Sequence, residues 1–220
     1  MRFLRIKSEE PRTPFAPTWD YSFAVLDYNG VDLIKLAELA LNREEEIKSL
    51  PPSVNDCGEP TDGYTGLGLN STTSRFQNYN VLSWDHECVH ELRWSIRDAL
   101  KAYTTTLEVS APEEVYVQCW VNILKTGQKI RPHFHAVGPH CYLSGHFNVQ
   151  TLGETSTVYL SPINQLNDPH EVKVPNVNGE MTIFPSYVFH YTTPHQGKDP
   201  RITIAFDLSL ERFTDNWLPL

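Results

Sequence analysis

The chain has 220 residues, 40% of them hydrophobic and 20% charged. That composition excludes a disordered or fibrous protein and suffices for a sizeable core without disulfide staples. Lys and Arg number 18 against 27 Asp and Glu, a net charge of −9, which argues against nonspecific nucleic-acid binding because such binding leans on a surplus of cations. No apolar run is long enough to span a membrane.

The opening MRFLRIKSEEPRTP is basic but turns acidic at once, without an apolar stretch, so no secretory signal is read. Cys57, Cys88, Cys119 and Cys141 form no CxxC pair and are expected to be reduced thiols. The first thirty residues are Pro-rich, with one predicted strand at 21–27. A helix is predicted from Val31 to Lys48, with Ile34, Ala37 and Leu41 on its apolar stripe and Pro51-Pro52 as its stop. Residues 51–80, rich in Gly, Asn, Thr and Ser, read as a long loop. Together with loop 136–142 this segment is a candidate for closing over a substrate. Tyr64, Arg75 and Tyr79 are candidate lining residues, against a plain role as loop residues. A second helix, capped by Ser83 or Asp85, aligns Val89, Leu92, Ile96, Leu100 and Tyr103 and ends in Thr104–Thr106.

From residue 112 the pattern is β-rich: VYVQCWVNIL, CYLSGHFNVQ, STVYLSP, GEMTIFPS and RITIAFDLSL, separated by Gly, Pro and Asn turns. Short strands at this spacing predict a sandwich, barrel or jelly roll. The expectation is one domain, with helical and loop support over 1–110 and a β core over 111–220.

Nine histidines mark the chain. His133 and His135, in RPHFHAVG, stand two apart, so on a strand both imidazoles point to one face, as a metal ion requires. A polar edge strand carrying two unrelated histidines is the bland alternative. His190, in GEMTIFPSYVFHYTTP, would reach the rim of the same sheet system. Three protein ligands with open positions make a catalytic iron site, usually from two His and one carboxylate. Arg201 and Thr203 share one strand face in DPRITIAFDL. A guanidinium buried there needs an anionic partner, either a bound dicarboxylate or a surface acid.

A rival motif is His86-Glu87-Cys88-Val89-His90, which matches the HExxH of zinc metalloproteases. It falls at a helix cap, Arg93 and Arg97 share its face, and no third-ligand pattern follows, all of which count against a divalent cation. A non-catalytic jelly-roll binding module is the third class considered.

WVNILKTGQKIRPHFHAVGPHCYLSG, then GEMTIFPSYVFHYTTP and RITIAFDL, resembles the 2-oxoglutarate- and Fe(II)-dependent oxygenases. Within them it is most similar to a branch of small bacterial and phage proteins, a resemblance that implies a cytoplasmic setting in a bacterium or a phage-infected host. The resemblance spans roughly residues 115–210. Asn122, Gly127 and His133 also repeat offsets seen in the nucleic-acid dealkylase branch, although Leu124 stands where those proteins carry Tyr. The implied fold is mainly β: a double-stranded β-helix, or jelly roll, with N-terminal supporting helices. The implied ligands of Fe(II) are His133, His135 and His190. Arg201 would clamp the far carboxylate of 2-oxoglutarate, Thr203 would assist, and Asn122 and Tyr142 are further cosubstrate-binding candidates. His135 departs from the common Asp and leaves the site one charge more positive, as in some three-His iron dioxygenases. The implied reaction uses O2 and 2-oxoglutarate to hydroxylate a C–H bond, releasing succinate and CO2. It needs no general base, so no catalytic residue is nominated beyond the metal ligands, and the primary substrate is not legible.

Overall fold

The computed structural model describes residues 1–135, 140–161 and 171–220. Residues 136–139 of the predicted closure loop, and His170, lie outside them.

The strands are β1 (Arg2–Lys7), β2 (Asp20–Asp27), β3 (Ser53–Val54), β4 (Pro60–Thr61), β5 (Tyr116–Leu124), β6 (Cys141–Gln150), β7 (Ser156–Leu160), β8 (Glu171–Pro175), β9 (Glu180–Pro185), β10 (His190–Thr192), β11 (Arg201–Ser209) and β12 (Leu218–Pro219). The helices are α1 (Leu33–Asn42), α2 (Glu44–Ser49) and α3 (Glu87–Thr106). A large antiparallel sheet runs in the order β1-β2-β9-β6-β11-β5-β12, a small one in the order β10-β7-β8, and β3-β4 is a separate ribbon. This is the expected jelly roll with helical support. Among the described residues, no helix is long and apolar enough to cross a membrane.

Strand alternation explains the two cores. On β11, Ile202, Ile204, Phe206 and Leu208 face the helices and join Leu36, Leu92, Ile96, Val121 and Phe147 in the larger core. The opposite face meets the small sheet, where Phe23, Val25, Phe184, Tyr159 and Val174 form a second core. Arg201, Thr203 and Asp207 share that inner face by the same period of two.

Helix α3 buries all five residues of its predicted stripe. Each large apolar side chain withdrawn from water contributes about 1.5–3 kcal/mol, which outweighs the weak propensity of the terminal threonines. Its N-cap is His86, not Ser83 or Asp85, and the His86 imidazole accepts from the Cys88 backbone N–H. The predicted first helix is two helices. Asp32 caps α1 through a bond from the Lys35 N–H at 3.0 Å. The chain then breaks at Arg43, and α2 restarts with Glu44, Glu45 and Glu46 in its first turn, where acids complement the helix dipole. The buried stripe of α1 is Leu36, Ala37 and Ala40; Ile34, expected inside, is 74% exposed.

Residues 51–80 are tied to the sheet. Thr72 Oγ1 donates to Val121 O at 2.7 Å, and Tyr79 Oη accepts from Val121 N at 2.8 Å. The buried Arg75 donates to the carbonyls of Leu50 (3.0 Å), Lys48 (2.9 Å) and Leu69. Arg75 and Tyr79 are therefore structural pins, whereas Tyr64, at φ 62°, is exposed.

Candidate metal centre

His133 enters the site through a backbone bridge with His190: His133 N donates to His190 O at 3.0 Å, and His190 N donates to His133 O at 2.9 Å. His135 N donates to Ser186 O at 3.1 Å, which seats the third imidazole beside them. The extended backbone after Pro132 turns both members of the His-x-His pair inward. The ring centroids lie 4.4, 5.2 and 5.5 Å apart. One ligand atom from each imidazole falls within 4.8 Å of the others.

Each Nδ1 is committed outward. His133 Nδ1 lies 2.9 Å from Arg131 O and His190 Nδ1 lies 3.0 Å from Val188 O. A carbonyl only accepts, so both Nδ1 atoms carry protons and both Nε2 atoms keep a lone pair. His135 Nδ1 is hydrogen-bonded to Asp207 Oδ1. Tying Nδ1 to an acceptor in this way fixes the tautomer in metal sites. Burial, reinforced by the neighbouring imidazole of His135, pulls the pKa of His133 down to about 4. Burial likewise holds His190 well below its ordinary value, with His133 and His135 adding to the effect. Neutral imidazole is the ligand form. Phe184, Tyr159 and Trp120 pack around the cluster: the Phe184 and Tyr159 rings are 4.8 and 5.9 Å from His190, and Trp120 is 5.5 Å from His135.

The second feature is Arg201, 1% exposed. With the Asn176 amide turned to donate to Thr157 Oγ1, the Asn176 carbonyl accepts from Arg201 Nη2 at 3.2 Å. Among the described residues, Arg201 Nε and Nη1 have no hydrogen-bond partner and no carboxylate pairs with the group. Burial pulls its pKa down to about 10. A buried guanidinium with two idle donors is a receptacle for an anion. Thr203, Asn122 and Asn148 line the same floor, since Thr203 stands opposite Asn122 on one side and Asn148 on the other. Asn122 Oδ1 accepts from Thr73 Oγ1 at 2.6 Å.

Of the residues singled out from sequence, the fold brings His133, His135 and His190 together and puts Arg201, Thr203 and Asn122 on the adjoining inner face. Tyr142 is the exception. The register passes from the Leu208–Leu143 pair to the Ser209–Cys141 pair, so Tyr142 falls at a bulge and packs against the helix-side core. A bulge takes a residue out of the two-residue alternation, and this displaces Tyr142 from its expected place. Tyr159, fully buried and close enough to Arg201 to feel its charge, is the aromatic residue found there instead.

Sequence reasoning missed Asp207, Ser144 and His146. His146 sits on the same floor, its pKa pulled down to about 3 by burial, then by the charge of Arg201, then by His135. The signal was present: continuing the alternation from Arg201 and Thr203 reaches Asp207, and CYLSGHFNVQ alternates Ser144, His146 and Asn148 on one face. The HECVH motif does not assemble. His86 lies outside the helix as its cap, and among the described residues the only metal-capable cluster is His133, His135 and His190.

Residues 118–207 match the family model described as "Putative 2OG-Fe(II) oxygenase". That span holds the three clustered histidines, Asn122, Arg201, Thr203 and Asp207. The fold is similar to that of a Pseudomonas putida prolyl-4-hydroxylase, at 15% identity and TM-score 0.55, covering 85% of this chain and 92% of that one. It is also similar to a Trichoplax adhaerens prolyl hydroxylase bound to a hypoxia-inducible-factor peptide fragment, at 10% identity, TM-score 0.56 and 85% and 83% coverage. A third similar structure is AviO1 from Streptomyces viridochromogenes Tue57, at 13% identity, TM-score 0.53 and 85% and 89% coverage. At these identities the likeness is one of fold. No curated protein matches the sequence. Fe(II) and 2-oxoglutarate, the cofactors in the family's description, suit the donor set: three imidazole nitrogens for the metal, and a guanidinium with two idle donors for a carboxylate.

Proposed function

We propose that the chain is a 2-oxoglutarate- and Fe(II)-dependent dioxygenase that hydroxylates a C–H bond of its substrate. The observation that carries this reading is the pairing of two complementary sets of donors in one jelly-roll interior. Three convergent imidazole donors call for a cation, and the idle Nε and Nη1 of Arg201 call for an anion. A structural histidine cluster would not also require an orphaned guanidinium on the same floor.

In this reading His133, His135 and His190 hold the metal through Nε2. Arg201 receives the far carboxylate of 2-oxoglutarate, with Thr203 and Asn122 beside it and Tyr159 on the facing sheet. Bound Fe(II) and 2-oxoglutarate supply O2 activation coupled to oxidative decarboxylation, with succinate and CO2 as products. The chain itself orients these groups and keeps water off them. The rings of Trp120, Tyr159 and Phe184 shield the imidazoles, and the neutral state of His133, His146 and His190 leaves Arg201 the cationic anchor on the floor. No side chain is required to shuttle a proton.

The test is anaerobic addition of Fe(II) and then 2-oxoglutarate to metal-free protein, watching for the visible charge-transfer band of the chelate. The band is expected in the native protein, absent in His190→Ala, and reached only at higher 2-oxoglutarate in Arg201→Ala. Failure of the native protein to bind metal or to develop the band would reject the oxygenase and leave a jelly-roll binding module.

A further inference from the structure

His135 occupies the position at which a carboxylate ligand is usual, and a carboxylate stands directly behind it. Asp207 Oδ1 accepts from His135 Nδ1 and also from Ser144 Oγ, the latter at 2.6 Å. A hydroxyl has one proton, so Ser144 in turn accepts from Ser186 Oγ at 2.9 Å. The circuit closes through the backbone, where the Ser186 carbonyl accepts from His135 N at 3.1 Å. Ring and main chain of His135 are thus both fixed by one loop of hydrogen bonds.

The other two imidazoles are held differently. His133 and His190 each rest Nδ1 on a backbone carbonyl two residues earlier. Only the imidazole that replaces the usual carboxylate is backed by a charged group. The Asp207 side chain is 18% exposed, so its charge is only partly screened by water.

We propose that Asp207 is a positioning residue that returns to the metal centre, through His135, the negative charge its second ligand lacks. A carboxylate on Nδ1 makes the imidazole a stronger donor at Nε2 and fixes its direction. The arrangement moves the formal charge one ring outward without removing it from the site. This inference rests on the metal-centre reading above.

Asp207→Asn isolates the charge. Both hydrogen bonds end on Oδ1, so the amide oxygen retains both donors while the charge is lost. Native protein, Asp207→Asn, Asp207→Glu and Ser144→Ala would be titrated anaerobically with Fe(II) alone, then with 2-oxoglutarate, and the melting temperature of each metal-free form recorded. Asp207→Asn should weaken Fe(II) binding about 10- to 100-fold, move the charge-transfer band to shorter wavelength, and leave the metal-free melting temperature nearly unchanged. Asp207→Glu should restore much of the affinity, and Ser144→Ala should bind Fe(II) within a few-fold of native. Native affinity and an unmoved band in Asp207→Asn would overturn the proposal. So would a loss in Ser144→Ala as large as in Asp207→Asn, since the circuit and not the charge would then be responsible. Should Asp207→Asn not fold, Asp207→Ser, which removes the charge together with its acceptor oxygens, is compared with Ser144→Ala instead; failure of both Asp207 variants to fold would make Asp207 a purely structural residue. If the native protein binds no Fe(II), the metal centre itself is rejected and the role of Asp207 falls with it, an outcome distinct from native binding that ignores Asp207.

Discussion

His133 and His190 face each other across one antiparallel bridge in which each backbone N–H donates to the other's carbonyl, at 3.0 and 2.9 Å. The bond between the two segments is therefore made by main chain, and the imidazoles are held by it without being needed for it. Side-chain replacement should remove the metal site while keeping the bridge.

His133→Ala and His190→Ala should each fold with native far-ultraviolet circular dichroism and lose thermal stabilisation by a divalent metal. A ligand at a hundred times its Kd stabilises by about 2.7 kcal/mol, which for a chain of this size is a rise of roughly 5–10 °C. Calorimetry with Co(II), which resists air oxidation, measures it. His86→Ala is the control: it should cost about 0.5–2 kcal/mol as a lost helix cap and keep the full metal-induced rise. A rise retained by both bridge variants would reject the site.

Arg201→Met should separate stability from binding. The native guanidinium is buried with two donors idle, an arrangement that costs folding energy. An apolar side chain of similar length relieves that cost, so the metal-free variant is expected to equal the native protein or exceed it by about 1–3 kcal/mol in urea denaturation. The same variant should gain nothing from 2-oxoglutarate in the presence of metal. Destabilisation by several kcal/mol would show that Arg201 holds the fold through more than its bond to Asn176.

Acid should destabilise the metal-free protein through its buried imidazoles. His133 and His146 titrate at about 4 and about 3 in the folded chain, and His190 lies well below its ordinary value. In the unfolded chain all three protonate near 6.5. Unfolding therefore takes up protons below that pH, and stability falls as pH drops from about 6.5 toward 4, while above 7 these groups contribute no slope. Denaturation at pH 7 and pH 5 measures the difference. His146→Phe should flatten the slope by about one proton; an unchanged slope would mean that His146 is not held neutral.

Gly145→Ala should be among the costliest single-atom changes in the fold. A Cβ at this position on β6 would meet Phe206 Cζ at 2.3 Å and the Thr182 carbonyl oxygen at 2.5 Å. The second contact is backbone of the neighbouring β9 and cannot swing away. Overpacking of this kind costs about 1–3 kcal/mol, occasionally more, readable as a shifted urea midpoint. A stability within a few tenths of a kcal/mol of native would show that β6 and its neighbouring strands shift easily here.

The strands of the jelly-roll core and the buried stripe of α3 were legible because each is a periodic pattern within about ten residues. Helix α1 was harder: it carries two apolar stripes, and only the sheet beneath it selects Leu36, Ala37 and Ala40 over Ile34 and Leu41. β1 is hard to read because Phe3-Leu4 breaks the charged/apolar alternation of RFLRIK at a sheet edge, where Arg2 and Arg5 pair with Glu180 and Asp20 and burial is slight. Tyr142 was misplaced because a bulge is a feature of strand pairing that leaves no periodic mark in one strand.

By itself the sequence determined the β-rich core, the shared face of His133 and His135, and the shared face of Arg201 and Thr203, since period two is set by the backbone of a single strand. The tertiary structure alone decided that His190 meets His133, that Asp207 lies behind His135, and that Arg201 has no counter-charge among the described residues. Those relations join residues 57, 72 and more positions apart. They depend on register between strands and on which polar groups the packed sheets leave unpaired, and neither quantity is carried by the spacing of residues along one chain segment.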